Sequence, residues 1–284
     1  MARWWPPGYA GRQPQERNFD GEDAPTPPDP DPRRPPLRGV GMIPLVTPAA
    51  IGPLEGLGYI AANPDIVLGL LGEHLRLTVV ALLIALAIAL PVGTLLHSRP
   101  RLAGPIMGVL GLLYTVPSLA LIVLLIPFTG LNGTSVIVAL IIYCQVILVR
   151  NIIAGLGGID RTIVEAARGM GMSAWQTWAR VQLPLALPII LAGVRLAAVV
   201  SIGIATIGAK FNAGGLGVLL FQGISQGGRA DKIWAGAIAV SVLALVANGL
   251  LLLLERALSP ATRVRRAEKR LSVRQTAQQT VGAD

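Results

Sequence analysis

The sequence predicts an all-α polytopic membrane protein with five spanning helices, and three observations carry that prediction. Of its 284 residues, 53% are hydrophobic and 14% charged, and the mean hydropathy is +0.63, far from the composition of a water-soluble domain. Five stretches stay apolar for roughly 20 residues, the length a helix needs to cross a hydrocarbon core of about 30 Å. No run of about ten residues alternates apolar and polar as a barrel strand would, and lipid then leaves helices as the way to satisfy the backbone.

Residues 1–41 form a Pro-rich tail. From Met1 to Arg38 it holds six basic and six acidic residues and no apolar periodicity. Such a segment buries too little surface to offset its ordering entropy and is expected to be disordered. It has no apolar h-region of a signal peptide, and Met42 stands just downstream as an alternative start. Residues 42–73 are broken by Pro and Gly too often to span, so an irregular or interfacial segment is expected, with a short helix over about 64–72.

The transmembrane domain is expected over residues 74–256, with spans at about 75–96, 106–127, 132–150, 185–209 and 233–254. The first is uncharged from Leu77 to Leu96, and the second and last are uncharged throughout. Pro117 interrupts the second; it frees a carbonyl and kinks the helix, which lipid tolerates only where neighbours or a water-filled cavity satisfy the backbone. Thr115 and Ser118 beside it can supply hydroxyls. The fourth span carries one charge, Arg195, placed roughly 16 Å along the helix from Pro184. With no Asp or Glu inside the five spans, its expected partners are carbonyls, Gln145 or water. An intramembrane charge points to function, and snorkelling or a shifted helix start competes with that reading.

Basic residues set the topology. His97, Arg99 and Arg101 follow the first span, Arg150, Arg161, Arg168 and Arg180 follow the third, and a basic tail of seven Lys and Arg residues, Arg256 to Arg274, follows the fifth. With five spans these regions share one side, which the positive-inside rule makes the cytoplasm. A multi-pass protein of the plasma membrane follows, with its N-terminus outside and its C-terminus cytoplasmic. The loop from Lys210 to Lys232, carrying Lys210, Arg229 and Lys232 against Asp231, is the one mild conflict.

Composition also removes function classes. The net charge of +9 comes without a basic stripe interleaved with aromatics, so nucleic acid is not an expected partner; anionic lipid headgroups account for the tail's charge. A single cysteine, Cys144, and two histidines leave no ligand set for a metal and no nucleophile with its base, so neither a metal site nor an enzyme is expected. No GxxxxGK[ST] motif is present, so ATP hydrolysis would belong to another chain.

The remaining feature is a polar cytoplasmic loop at 161–184, between the third and fourth spans. "RTIVEAARG" favours helix, with Glu165 near its positive end. Ala166 and Ala167 allow another surface to approach closely. Gly169 and Gly171 permit a turn with positive φ, after which Ser173 can cap a second short helix bearing Trp175 and Trp178 on one face. Pro184 is expected to end that element. Two short helices joined by a sharp turn make a docking knob.

Here the residues carry a resemblance. Glu165-Ala166-Ala167, three residues, Gly171, nine residues, then Val181-Gln182-Leu183-Pro184 resembles the EAA loop of ABC importer permeases, with Val181 for the usual Ile. Thr115-Val116-Pro117-Ser118, Arg150-Asn151 and Phe211-Asn212-Ala213-Gly214-Gly215-Leu216-Gly217 are similar to the glycine betaine, carnitine and choline branch, and the likeness runs roughly from Leu68 to Leu254. The resemblance implies a five-helix permease core with cytoplasmic coupling helices. Glu165, Ala166, Ala167, Gly169, Gly171, Leu183 and Pro184 would couple it to the ATPase. Thr115, Pro117, Ser118, Arg195, Asn212, Gly214 and Gly215 are candidates for the path or its gate, with a merely structural kink the competing reading of Pro117.

The implied partners are a cytoplasmic ABC ATPase dimer, a second permease subunit, identical or related, and an extracytoplasmic solute-binding protein. No cofactor is expected on this chain, with ATP and Mg held by the partner ATPase. The implied cargo is an osmoprotectant such as glycine betaine, choline, carnitine or proline betaine. The alternatives are a permease for another small solute, such as an amino acid, or a secondary transporter. The latter usually shows buried acids and internal repeats, which are absent here.

Overall fold

Proline opens the helices. In the computed structural model, which describes residues 52–258, a Pro sits in the first turn of α1 (Pro53–Ala62), α2 (Pro64–Ser98) and α3 (Pro100–Thr115), where its missing N–H would have had no partner in any case. The chain continues through α4 (Ser118–Thr129), α5 (Gly133–Gly157), α6 (Arg161–Gly169), α7 (Ala174–Thr177), α8 (Leu183–Gly208), α9 (Gly217–Ser225) and α10 (Ala230–Leu258). The tail 1–41, Met42 and the basic tail from 259 onward lie outside the described residues.

Among the described residues, four helical segments are long and apolar enough to cross a membrane, or five if α3 and α4 count as one. That pair departs from the expected continuous span at 106–127: α3 and α4 meet at 96° around Val116 and Pro117. Proline cannot donate into the preceding turn, and its ring disfavours a helical Val116, whose ψ of 128° is extended. A second departure lies at 52–73, which is helical rather than irregular. Here α1 packs against α10, and α2 starts at Pro64 and runs unbroken for 35 residues.

The centre of the bundle is α5, buried on most of its faces from Ser135 to Leu156. Against it lies a stripe of small residues on α2, Ala81, Ala85, Ala89 and Gly93, spaced four apart so that they share one face. A Cβ at Gly93 would come within 2.6 Å of the Ile152 side chain. On the other flank, α8 meets α5 through glycines: added Cβ atoms would lie 3.1 Å from the Ala186 carbonyl at Gly155, and 2.5 Å from the Asn151 side chain at Gly193. Lipid supplies no hydrophobic drive between helices, so close backbone approach through small residues supplies the attraction instead.

These contacts fix direction. Gly208 of α8 meets Val136 of α5 while Ala186 meets Gly155, so α5 and α8 are antiparallel. On α2, Leu77 meets Gly133 and Gly93 meets Ile152, so α2 and α5 run parallel. One end of the bundle therefore holds Glu73, His74, Asn132 and Gly208; the other holds Leu96, Leu156, α6 and α7. By contrast, α10 buries little beyond Ala235, Gly236 and Leu243, and leaves Leu245, Leu250 and Leu253 exposed.

Candidate functional site

At the end carrying α6 and α7, short-range bonds build the whole element. The Asp160 side chain accepts the Thr162 backbone N–H at 2.9 Å and caps α6. That N–H, followed by the Thr162 side chain, holds the Asp160 carboxyl below its ordinary range. The helix ends with the Met172 N–H on the Ala167 carbonyl and the Gly171 N–H on the Arg168 carbonyl. These two bonds, with Gly171 at φ 82°, make a Schellman end in which Gly171 takes the left-handed position. Gly171 thus stands four positions after Ala167 because the bond from Met172 back to Ala167 closes that many residues.

Gly169 has no such role. It is the last residue of α6 without positive φ, and an added Cβ there would meet nothing within 4 Å. Ser173 caps α7 in a full capping box with Gln176, as its position predicts. Pro184, expected to end the second helix, does not. The chain passes from α7 through a π-type turn, Trp178–Gln182, directly into α8, making one helical rod from Ala174 to Phe211. In that turn the Leu183 N–H bonds to the Trp178 carbonyl five residues back, and Pro184 sits harmlessly in the first turn of α8.

The surface that results is small and exposed. Glu165 and Ala166 are exposed, Ala167 is 2% exposed beneath them, and Met170 and Trp175 project at 77% and 70%. Trp175 stacks on Trp178 with ring centres 4.9 Å apart. Glu165 also lines a cavity of about 530 Å³ between α6 and the ends of α2 and α5, shared with His97, Arg161 and Gln182. The element pairs one acidic side chain and two alanines with a rigid aromatic pair, an arrangement that admits a partner's surface closely.

The broken span is satisfied from a residue the sequence reading passed over. The carbonyl of Val116, turned out of the helix where that residue is extended, accepts the hydroxyl of Tyr143 on α5, and the Pro117 carbonyl accepts Leu121 N–H at 3.0 Å. Thr115, expected to help, instead bonds to Leu112 within its own helix at 2.7 Å. Tyr114 and Tyr143 meet edge to face, 5.5 Å apart. A lone tyrosine inside an apolar helix was the available signal, because its hydroxyl needs a partner when buried.

Arg195 is partnered differently from expectation. Its Nη1 donates to Asn248 Oδ1 at 3.3 Å, and its Nε stands 3.3 Å from Glu255 Oε2, near enough to pair by charge without hydrogen-bond alignment. Gln145, named as a possible partner, donates instead to the Ala85 carbonyl at 3.1 Å. Glu255 lies one residue past the last expected span. Both partners lie on the last three turns of α10, the end nearest α6 and α7.

At the opposite end, Ala209–Phe211 forms a 3-10 turn, Asn212 is left-handed at φ 59°, and Gly214 and Gly215 have φ of 78° and 83°. The expected loop continues into α9, a short helix packed on α10. Glu73 accepts the Gly215 N–H at 2.9 Å, and the buried His74 faces the Ile202 carbonyl at 3.2 Å. Asn212, Gly214 and Gly215 therefore lie at one end, whereas Val116, beside Pro117, meets Tyr143 partway along α5 and Arg195 meets α10. Among the described residues no group of His, Cys, Asp or Glu could hold a metal ion.

Comparisons with known proteins agree on what this architecture is. The model of the family described as binding-protein-dependent transport system inner membrane component matches residues 73–263. The carnitine transport permease protein OpuCB of Listeria monocytogenes is 41% identical over 188 residues, covering 66% of this chain and 86% of that protein. The osmoprotectant import permease protein OsmW of Salmonella typhimurium is 37% identical over 212 residues, covering 73% and 98%. Among solved structures, an inward-facing conformation of the MetNI methionine ABC transporter matches with a TM-score of 0.63 at 25% identity, covering 68% of this chain and 96% of that one. An EAA-type helix closed by Gly171, a central buried helix and a matched core together leave one assignment: the chain belongs to the inner-membrane permease family of binding-protein-dependent ABC importers.

Proposed function

We propose that this chain is the permease subunit of an ATP-driven importer of osmoprotectants, of the glycine betaine, choline, carnitine or proline betaine class, and that it works with a separate ATPase dimer. The observation that carries the reading is the exposed Glu165-Ala166 face of α6, held by the Schellman end at Gly171, which turns the chain into α7 and so into the rod that continues through α8. Pressure on α7 reaches α8 along unbroken helix, and pressure on α6 reaches it through the hydrogen-bonded turn at Gly171. The 26 residues of α8 extend about 39 Å, enough to carry the displacement to the Gly208–Gly217 region.

In this mechanism ATP and Mg stay on the partner ATPase. Glu165, Ala166, Ala167 and Gly171 meet it, and Leu183 and Pro184 start the rod that moves. Thr115, Pro117, Ser118, Asn212, Gly214 and Gly215 border the path, while Arg195 ties α8 to α10. A second permease completes the pore, and an extracytoplasmic solute-binding protein delivers cargo on the side away from α6 and α7, with the C-terminus cytoplasmic. The osmoprotectant class is favoured over an amino acid because the named relatives carrying it are 32–41% identical, against 25% for the methionine transporter.

The test replaces Gly171 by Trp in the complex with its ATPase and binding protein in lipid. The new side chain points into open space, so the fold survives the positive-φ penalty, while the bulk separates the coupling surfaces. Uptake of radiolabelled betaine or choline is expected to fall at least tenfold with normal membrane insertion. Unchanged uptake would count against the coupling role of this loop.

A further inference from the structure

Two neighbouring residues on α2 make contacts that span the whole chain. The His74 ring is fully buried and faces the Ile202 carbonyl on α8. Glu73, one position earlier, is exposed at the rim, and its Oε2 accepts the N–H of Gly215, 142 positions along the chain. The loop backbone lies flat on α2 here. A Cβ at Gly215 would come within 3.0 Å of His74 Nδ1 and 3.3 Å of His74 Cα, and one at Gly214 would collide with the Glu73 carboxylate. Three consecutive turns of backbone conformation open to glycine or asparagine, at 212, 214 and 215, let the loop reach this position.

We propose that the Glu73 carboxylate is a latch that holds the 212–215 loop against α2 in the inward-facing state, and that this contact must break for the end away from α6 and α7 to open. The inference rests on the permease reading above and adds to it a named latching residue. The division of labour between the two side chains carries it. His74, buried against α8, is fixed. Glu73 is reachable by water, which can replace the Gly215 N–H when the loop lifts, so the contact is reversible where a buried one would not be. The glycines supply the hinge, and Glu73 borders a cavity of about 290 Å³ with Arg76, Asn132 and Ala213, into which the loop side opens. A bond to an ionised acceptor biases a two-state equilibrium by about tenfold or more.

The experiment uses the permease assembled with its ATPase and binding protein in lipid, with Ala213→Cys as a reporter for a membrane-impermeant maleimide; native Cys144 is fully buried. Glu73→Ala is expected to raise the labelling rate about tenfold without nucleotide and, with ATP present, to raise ATPase activity in the absence of binding protein. Glu73→Gln, which keeps an acceptor oxygen, restores both to near the parent values. In the vanadate-trapped complex all three label alike, because the latch is already open. Should Glu73→Ala fail to assemble, Glu73→Ser carries the same test. Labelling that rises with vanadate in the parent but is indifferent to Glu73 overturns the latch alone. A parent rate that nucleotide never changes overturns the permease reading of this loop along with it.

Discussion

The two ends of the bundle are built by opposite means. At the α6–α7 end, the interactions that shape the element join residues at most five apart: Asp160 with Thr162, Ser173 with Gln176, and Ala167 with Met172. At the other end, Glu73 reaches Gly215 and His74 reaches Ile202 across 142 and 128 positions. That contrast suits the proposed roles: a docking element has to keep its shape while a partner moves and so is self-contained, and a rim that has to open is assembled from remote pieces that can part.

The same substitution at two glycines breaks that comparison open. Valine at Gly215 and at Gly171 faces the same backbone difficulty, since both have φ above 80°, a strain of about 1–3 kcal/mol. At Gly171 nothing lies within 4 Å of the new Cβ, whereas at Gly215 it presses on His74. Gly215→Val is therefore expected to abolish folded, membrane-inserted protein, and Gly171→Val to lower the thermal midpoint while leaving a monodisperse species in detergent. Equal loss of folded protein at both sites would show that backbone strain alone governs them, and the contrast between the ends would collapse.

This contrast also explains how much was legible in the sequence. The cap at Ser173 and the turn at Gly171 are spaced by rules that a single strand of text records, so the shape of this short element could be read directly; at Pro117 the text showed a kink but not that it splits the span. The partner of that break could not be read. Tyr143 lies 27 positions from the carbonyl it satisfies, and helix periodicity is silent on which face of α5 meets which turn of α3. Arg195 went astray for a related reason. Its depth was counted from Pro184, but the helix starts earlier, and the acid that pairs with it falls one residue outside a window drawn on hydropathy. Gly169 misled in the other direction, since composition marks a glycine as a turn and only the bond pattern shows that Gly171 alone is needed.

Arg195 and Glu255 sharpen the comparison at an intermediate scale, joining α8 to α10 near the α6–α7 end. Their side chains are 31% and 23% exposed, so water screens the pair and its coupling is expected to be modest, at about 0.5–1 kcal/mol. A double-mutant cycle of Arg195→Gln and Glu255→Gln, read by thermal unfolding in detergent, measures it. The double variant should be less damaged than the sum of the singles. Strict additivity would mean that Asn248, not Glu255, is the partner that matters to Arg195.

The smallest effect belongs to the most local bond. Asp160 is fully exposed, so its cap acts only on the start of α6, and neither variant should change folding of the bundle. Its carboxyl is held below the usual carboxylate range by the Thr162 N–H. The sign follows from that depression: the cap's support is complete above the ordinary carboxylate pKa and is lost as pH falls through the lowered one. Asp160→Asn keeps an acceptor oxygen and removes the titration, whereas Asp160→Ala removes the acceptor. Amide exchange at Thr162 and Ile163 is therefore expected to rise in the alanine variant at neutral pH and stay near parent values in the asparagine variant. On acidification, opening of this first turn should increase in the parent and remain flat in Asp160→Asn. Acid sensitivity of equal size in both would place the titrating group outside the Asp160 cap, and the self-contained account of this end would then fail at its first turn.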